Sequence, residues 1–397
     1  MIIFFLGRQP EIGLAELAAV YHQTPQLLSR SIAALDLPKA VALKEANRLG
    51  SVIKIAELVV DYPSLAEINY PNLATALFER ITGKITLGIS LHSNLSKVKK
   101  DLPAVSRISK SLATHLKNLG HSVRTLYNKE PILSTATLLH NGLVSSNPKK
   151  VSLDVIVKPT ACLIAKTIYV QDIDAYSLRD RKRPRRDARN GMLPPKLAQT
   201  MINLALGASY IRKEADQLTL LDPFCGTGVI LQEASLMKLN TVGTDLNPIM
   251  IANTKANLEW LEETHHLRIN TKLATADATN FDWQSWTKPI NIDVVATETY
   301  LGRPYTTKPS FDELKSNISS CNTIISKFLV NLAPQLASGA GLCIGVPAWY
   351  NGDHINHLPC IKELAGLGFV NKTTGANLIY HRPGQFVGRE LLVLQKL

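Results

Sequence analysis

Short apolar runs alternate with amphipathic stretches along the whole chain. Ile2–Leu6 is an unbroken apolar run that predicts a buried strand, and Pro10-Glu11 then opens an amphipathic helix to about Tyr21. A second strongly apolar segment covers Val52–Val60. From there the pattern predicts a strand at Ile85–Ser90, a lysine-studded helix from Leu95 to Leu119 and a strand at His121–Leu126. A helix around Ser134–Asn141, ended by Asn141-Gly142, and the strands Val151–Lys158 and Ala161–Val170 follow. After Pro194-Pro195 strands and helices alternate. The order is helix Lys196–Leu206, strand Thr219–Asp222, helix Val229–Met237, strand Thr241–Asp245, helix Pro248–Leu261, and strands Lys272–Ala276 and Ile292–Ala296. A helix at about Phe311–Ala333, a strand at Gly341–Val346 and a last strand at Gly388–Gln395 close the chain. Such alternation predicts an α/β fold whose second half is a parallel doubly wound sheet, with ligands beyond the carboxyl ends of its strands.

Composition narrows the class. A chain of 397 residues with 45% hydrophobic and 19% charged residues has room for two or three ordinary globular domains. No stretch approaches the ~18 uninterrupted apolar residues of a membrane span, and Met1–Leu6 is too short for a signal-peptide core. The cysteines at 162, 225, 321, 343 and 360 are odd in number and form no CxxC pair, so neither zinc nor disulfides are suggested and a cytoplasmic location is expected. The net charge of +12 is unevenly placed. Residues 1–190 carry 27 Lys and Arg against 15 Asp and Glu, while residues 191–397 carry 17 of each. A basic module that captures a polyanion, joined to a neutral module that does chemistry, accounts for the division better than solubility alone. Ser177–Arg189, with seven Lys and Arg and no core-forming pattern, reads as a basic linker.

The chemistry is carried by Leu221-Asp-Pro-Phe-Cys-Gly-Thr-Gly-Val-Ile230. A strand ends in Asp222, a turn with Gly226 and Gly228 follows, and a second strand ends in Asp245. This is the skeleton of a nucleoside-binding βαβ unit, with glycines for close backbone approach and an acid for ribose hydroxyls. No Lys-Ser/Thr follows the glycines, and the three-glycine dinucleotide pattern is missing. A ribose-bearing ligand without phosphate fits better, with S-adenosylmethionine the leading candidate.

Together with Leu6-Gly-Arg-Gln-Pro-Glu-Ile-Gly-Leu-Ala-Glu-Leu17, Arg48-Leu-Gly-Ser-Val-Ile-Lys-Ile-Ala-Glu57, Arg179-Asp-Arg-Lys-Arg-Pro184 and Met192-Leu-Pro-Pro-Lys-Leu-Ala198, this motif resembles the THUMP-domain tRNA guanosine N2-methyltransferases. The resemblance implies a ferredoxin-like N-terminal element over 1–60, a THUMP domain over 61–172, a basic linker over 173–195 and a Rossmann-like class I methyltransferase domain over 196–397. It also implies tRNA as partner; a monomer is expected, and nothing in the sequence speaks to an activating subunit.

Each candidate position has a plainer reading beside it. Asp222, Cys225, Gly226, Thr227 and Gly228 would line the methionine moiety, although any tight strand–helix turn uses similar residues. Asp245 would clamp the ribose, although Asn247-Pro248 also marks a helix start. Asp277 would meet the adenine amine, or is an ordinary strand-end acid. After Ile292–Ala296 the family carries an acid or amide, two prolines and an aromatic ring. Here Thr297 stands at the polar position, both prolines are missing, Glu298 comes one residue late, and Tyr300 holds the aromatic place. Three readings stay open: Glu298 substitutes, another base is the target, or catalysis is lost. Arg181, Lys182, Arg183, Arg185 and Arg186 are candidates for tRNA phosphates, as is Arg303 beside the pocket; Lys97, Lys99 and Lys100 are weaker ones. Other classes remain: a non-catalytic tRNA-binding protein keeping the fold, or methylation of another RNA base, of protein or of DNA.

Overall fold

The structure, a computed structural model, describes residues 1–93, 98–145, 147–186, 192–305, 307–351, 354–373 and 378–397. In chain order the first half forms β1 (Ile2–Leu6), α1 (Pro10–Tyr21), β2 (Gln26–Ser29), β3 (Ile32–Leu35), α2 (Lys39–Glu45), β4 (Val52–Tyr62), α3 (Tyr70–Phe78), β5 (Lys84–Ser93), α4 (Val98–Asn118), β6 (Ser122–Thr125), α5 (Thr135–His140), β7 (Lys150–Lys158) and β8 (Ala161–Val170). The second half forms α6 (Ile173–Arg181), α7 (Pro195–Ala208), β9 (Thr219–Asp222), α8 (Val229–Leu236), β10 (Asn240–Asp245), α9 (Pro248–His265), β11 (Thr271–Thr275), α10 (Trp283–Thr287), β12 (Val294–Glu298), α11 (Phe311–Leu332), β13 (Gly341–Asn351), β14 (His354–Asn356), β15 (Phe369–Asn371), β16 (Ile379–Tyr380) and β17 (Val387–Lys396). The chain divides into two compact units. Unit 1 is Met1–Pro10, Thr24–Asn47 and Val52–Ile173; unit 2 is Glu11–Gln23, Arg48–Ser51 and Asp174–Leu397.

Unit 1 is built on a sheet of strand order β2-β3-β1-β4-β8-β7-β5-β6 among the described residues. It is antiparallel except where β5 pairs in parallel with β6 and β7. Leu87, Ile89, Leu153 and Val155 project from β5 and β7 into a core closed by Leu112 and Leu116 of α4. Asp154 of β7 is fully buried and is surrounded by Lys54 of β4, by His92 Nε2 of β5 at 2.8 Å and by the Thr167 hydroxyl of β8, which donates at 2.8 Å. Burial alone would raise this carboxyl; Lys54 and His92 outweigh it and hold the group well below the usual carboxylate range.

Unit 2 has the strand order β11-β10-β9-β12-β13-β17-β15. The run from β11 to β13 is parallel, as the alternation predicts, but β17 is antiparallel to β13 and β15 antiparallel to β17. The sheet is therefore mixed. Between β13 and β17 the described chain forms only short strands and the single-turn helix Pro359–Glu363, too little for the crossover helix that a parallel partner requires. Alternate residues feed two cores. Leu220, Val294 and Cys343 pack under α7 and α8, while Leu221, Val295 and Leu342 pack under α11.

The first helix belongs to this second unit. Ile12 of α1 joins the core under α7, and at Gly207 of α7 a Cβ would lie 2.5 Å from the Ala19 Cβ. The fully buried Glu16 carboxylate accepts from the backbone N–H groups of Gly50 (2.9 Å) and Ser51 (2.8 Å) and from Asn203 Nδ2 (2.8 Å). Asn203 in turn accepts from Arg48 Nε at 3.0 Å. A buried carboxylate persists only when so satisfied.

Candidate active site

In the unit 2 sheet, the order reverses at β9, between β10 and β12. A cavity of about 860 Å³ opens there, beyond the carboxyl ends of the strands. Asp222, Gly226, Asp245, Asp277, Glu298 and Tyr300 all line it, so the structure brings together candidates up to 78 residues apart in sequence.

The glycine loop has the conformation its sequence demands. Gly226 (φ +53°) and Gly228 (φ +79°) are both left-handed. At Gly228 a Cβ would also sit 2.7 Å from Thr254 Cγ2. The Cys225 N–H donates to the Thr244 carbonyl at 2.9 Å, and the Gly226 N–H donates to Asp245 Oδ2 at 2.9 Å. The other Asp245 oxygen accepts from the Asn247 N–H at 2.9 Å, so backbone donors aim this carboxylate from both sides. Burial pushes the Cys225 thiol well above its ordinary value, which leaves it inert as a nucleophile. Asp277 Oδ1 accepts from the backbone N–H (2.9 Å) and hydroxyl (2.8 Å) of Thr279, an Asx turn that fixes it at the cavity wall.

Asp222 is 2% exposed. Burial raises its carboxyl to about 7, with the negative charges of Asp245 and Glu298 adding to the rise. Two hydrogen bonds to Oδ1 work against that rise: the Thr297 hydroxyl donates at 2.6 Å and the Phe224 N–H at 3.3 Å. Thr297, fully buried, therefore spends its hydroxyl on the acid of the glycine loop and is not part of the cavity wall. Glu298, the next residue, lines the wall and pairs with Arg389 of β17. Burial raises the Glu298 carboxyl, and Arg389 opposes the rise. Tyr300 is 42% exposed at the mouth.

Several wall residues lie outside the motifs. Leu246 and Met250 form an apolar side of the cavity next to Asp245, and Leu246 is 70% exposed, a large apolar side chain left in the open. Met192, Leu193 and Lys327 also reach the wall. A leucine directly after a strand-ending acid is the one signal in the sequence that points to this wall.

The basic stretch differs from the expected linker. Its start is helical, in α6, and Arg179 is buried, its Nε donating to Glu233 Oε1 at 2.6 Å. Arg183 is also buried and donates to Met192 Sδ at 3.0 Å, so it offers no surface charge. Arg181, Lys182, Arg185, Arg186 and Arg303 are exposed. Residues 187–189 of the stretch and Lys97 lie outside the described residues, as do the Lys99 and Lys100 side chains. Asn257 of α9, fully buried, ties the basic stretch to the glycine loop. Its Oδ1 accepts the Arg185 N–H at 2.9 Å, and its Nδ2 donates to the carbonyls of Arg185 (2.9 Å) and Thr227 (2.8 Å).

Comparison with known proteins gives this site a lineage. Residues 181–323 match the family described as UPF0020, RMKL-like methyltransferase domain. A tRNA (guanine(10)-N2)-dimethyltransferase of Methanothermobacter thermautotrophicus is 31% identical over 157 residues, 40% of this chain and 39% of that protein. The chain thus spans about two fifths of the length of that relative. A probable tRNA (guanine(10)-N2)-dimethyltransferase of Methanothermococcus thermolithotrophicus is 32% identical over 31% of this chain and 70% of its own length. The structure of TrmN from Thermus thermophilus shares the fold, with a TM-score of 0.51 at 16% identity over 100% of this chain and 99% of that one. No helix among the described residues is long and apolar enough to cross a membrane. With its acid–glycine loop–acid cavity inside the matched region, the chain belongs to the tRNA guanine-N2 methyltransferase family.

Proposed function

We propose that this protein is an S-adenosylmethionine-dependent tRNA methyltransferase acting on the exocyclic N2 amine of a guanosine, as a monomer in the cytoplasm. The observation that carries the reading is the cavity at the sheet reversal, where four carboxylates, the left-handed Gly226 of the glycine loop and an apolar wall converge. Its volume suits a nucleoside-sized ligand. The donor set fits S-adenosylmethionine: Asp222 faces where an ammonium is wanted, Asp245 offers acceptors to a ribose diol, and Asp277 an acceptor to the adenine amine. Leu246 and Met250 supply an apolar surface for the base. When bound, the cofactor supplies an electrophilic methyl group.

The residues of the chain then have to present the amine. An amine conjugated to a purine is a poor nucleophile, so alignment and a hydrogen-bond acceptor matter. Thr297 serves Asp222 and Glu298 stands at the wall, which favours Glu298 as the group that accepts an amine N–H and takes the departing proton. Tyr300, at the mouth, provides a stacking face for a flipped base. Residues 1–60 and 61–172 act as the ferredoxin-like element and THUMP domain that grip tRNA. Arg181, Lys182, Arg185 and Arg186 with Arg303 contact its phosphates. Relatives are named for position 10 and for dimethylation, so those are the position and product to look for first.

Incubation with labelled S-adenosylmethionine and total tRNA, then nucleoside mass spectrometry, tests this reading. Label in N2-methylated guanosine supports it; label in another nucleoside moves the target. No label, with no binding of S-adenosylhomocysteine in calorimetry, would leave a tRNA-binding scaffold.

A further inference from the structure

We propose that Arg389 is a positioning residue for methyl transfer: reaching over β13 from β17, it fixes the Glu298 carboxylate at the cavity wall, ionised and oriented toward the incoming amine. The inference rests on the reading of Glu298 as the amine's acceptor and adds what makes that acceptor competent.

Geometry is the first support. Glu298 ends β12, and its register partner on β13 is Gly345, which carries no side chain. Two residues on, Pro347 pairs with Arg389 of β17. Glu298, Gly345, Pro347 and Arg389 thus share one face of the sheet by strand alternation. The missing side chain at position 345 leaves the way open for the arginine to reach Glu298 across an intervening strand. Its Nε donates to Glu298 Oε1. Among the described residues nothing binds Oε2, the oxygen left for a substrate N–H.

Charge is the second support. The Arg389 side chain is only 8% exposed, and its buried guanidinium is paired with the Glu298 carboxylate. The neighbours around Glu298 do not substitute for it. Asp222 of β9 is another acid, and Asp245 and Asp277 on the same wall are acids too. Glu390, next on β17, is committed to His357 Nδ1 at 2.6 Å. Lys327 of α11 lines the cavity but is not paired with Glu298. Burial drives the Glu298 carboxyl toward its neutral form, and a neutral carboxyl would have no charge with which to draw out the amine's lone pair. Arg389 supplies the opposing field. The planar guanidinium also aims a fixed N–H at Oε1, which an ammonium on a flexible stem does less well.

The test uses the full chain with Arg389→Met, Arg389→Lys and Glu298→Gln. Four quantities are measured: methyl transfer to tRNA from pH 5.5 to 9, S-adenosylhomocysteine affinity by calorimetry, tryptophan-fluorescence unfolding, and the pH titration of 13C-labelled glutamate carboxyls. The Glu298 resonance is the one missing in Glu298→Gln. Arg389→Met should lower kcat about 100-fold while cofactor-product affinity and the KM for tRNA stay within about twofold. The acid limb of its pH profile and the Glu298 resonance should both move to higher pH. Arg389→Lys should recover part of kcat, with a smaller move in the same direction. If Arg389→Met does not fold, Arg389→Lys decides, and an unmoved acid limb and resonance overturn the proposal. Loss of kcat that merely follows loss of folded protein, at an unchanged pH profile, overturns it too. Activity retained in Glu298→Gln instead sinks the reading of Glu298 as the acceptor, as does a wild-type chain that transfers no methyl group to tRNA.

Discussion

Replacement of Asp222 by Asn separates what this acid costs the fold from what it gives the cofactor site. Its carboxyl is moved from 3.8 to about 7 by burial, so ionising it inside the fold costs about 4 kcal/mol relative to the unfolded chain. The sign follows from proton binding. Below pH 4 the group is protonated in both states and contributes nothing to the pH dependence. Between 4 and 7 the folded chain holds a proton that the unfolded chain has lost, so stability falls as pH rises, and above 7 the full cost applies. Asparagine keeps an oxygen for the Thr297 hydroxyl and the Phe224 N–H but carries no charge. Asp222→Asn should therefore stabilise the ligand-free protein by up to about 4 kcal/mol at pH 8, with the gain shrinking to nothing near pH 4. All four tryptophans lie in unit 2, two of them fully buried, so urea unfolding followed by tryptophan fluorescence reads this unit alone. The same variant should bind S-adenosylhomocysteine about 10- to 100-fold more weakly, having lost a charged acceptor. A stability difference that does not change with pH, or a variant less stable at pH 8, would refute the reasoning.

Other expectations follow from the same geometry. Gly228→Ala forces an L residue to φ +79° and a Cβ to 2.7 Å from Thr254, and should cost about 1–3 kcal/mol and weaken cofactor binding in calorimetry. Asn257→Leu removes three hydrogen bonds between Arg185, Thr227 and α9, the one to Thr227 buried, and should lower urea stability by about 2 kcal/mol or more. Glu16→Ala leaves the N–H groups of Gly50 and Ser51 without their acceptor and should destabilise unit 2 by about 3 kcal/mol or more in the fluorescence assay. Lys182→Ala, Arg185→Ala and Arg186→Ala should each weaken tRNA binding and reduce the slope of log affinity against log salt by about one, whereas an unchanged slope would remove that residue from the phosphate contacts.

The glycine loop and its flanking acids were legible because their chemistry is local. Positive φ at Gly226 and Gly228 selects glycine within a few residues, and the distance to Asp245 is one strand–helix–strand repeat. The direction of Thr297 was not legible, because it depends on β12 lying between β9 and β13, which aims the hydroxyl inward at Asp222. Nor was the partner of Glu298: Arg389 is 91 residues away and arrives on an antiparallel strand where alternation predicted a parallel sheet. The basic stretch misled for a related reason. Arginines read as solvated charges until a buried acid such as Glu233, 54 residues on, takes one of them inside.

The assignment of α1 and Arg48–Ser51 to the second unit has a consequence during synthesis. The chain crosses between units after residues 10, 23, 47, 51 and 173, so no single cut separates them. Glu16 leaves the ribosome 187 residues before Asn203. At 5–20 residues per second, about 10–40 s pass before that partner is made. Through that interval the Glu16 carboxylate lacks its Asn203 partner and Ile12 lacks the α7 core it packs into, so the second unit cannot close over α1 until α7 has been made.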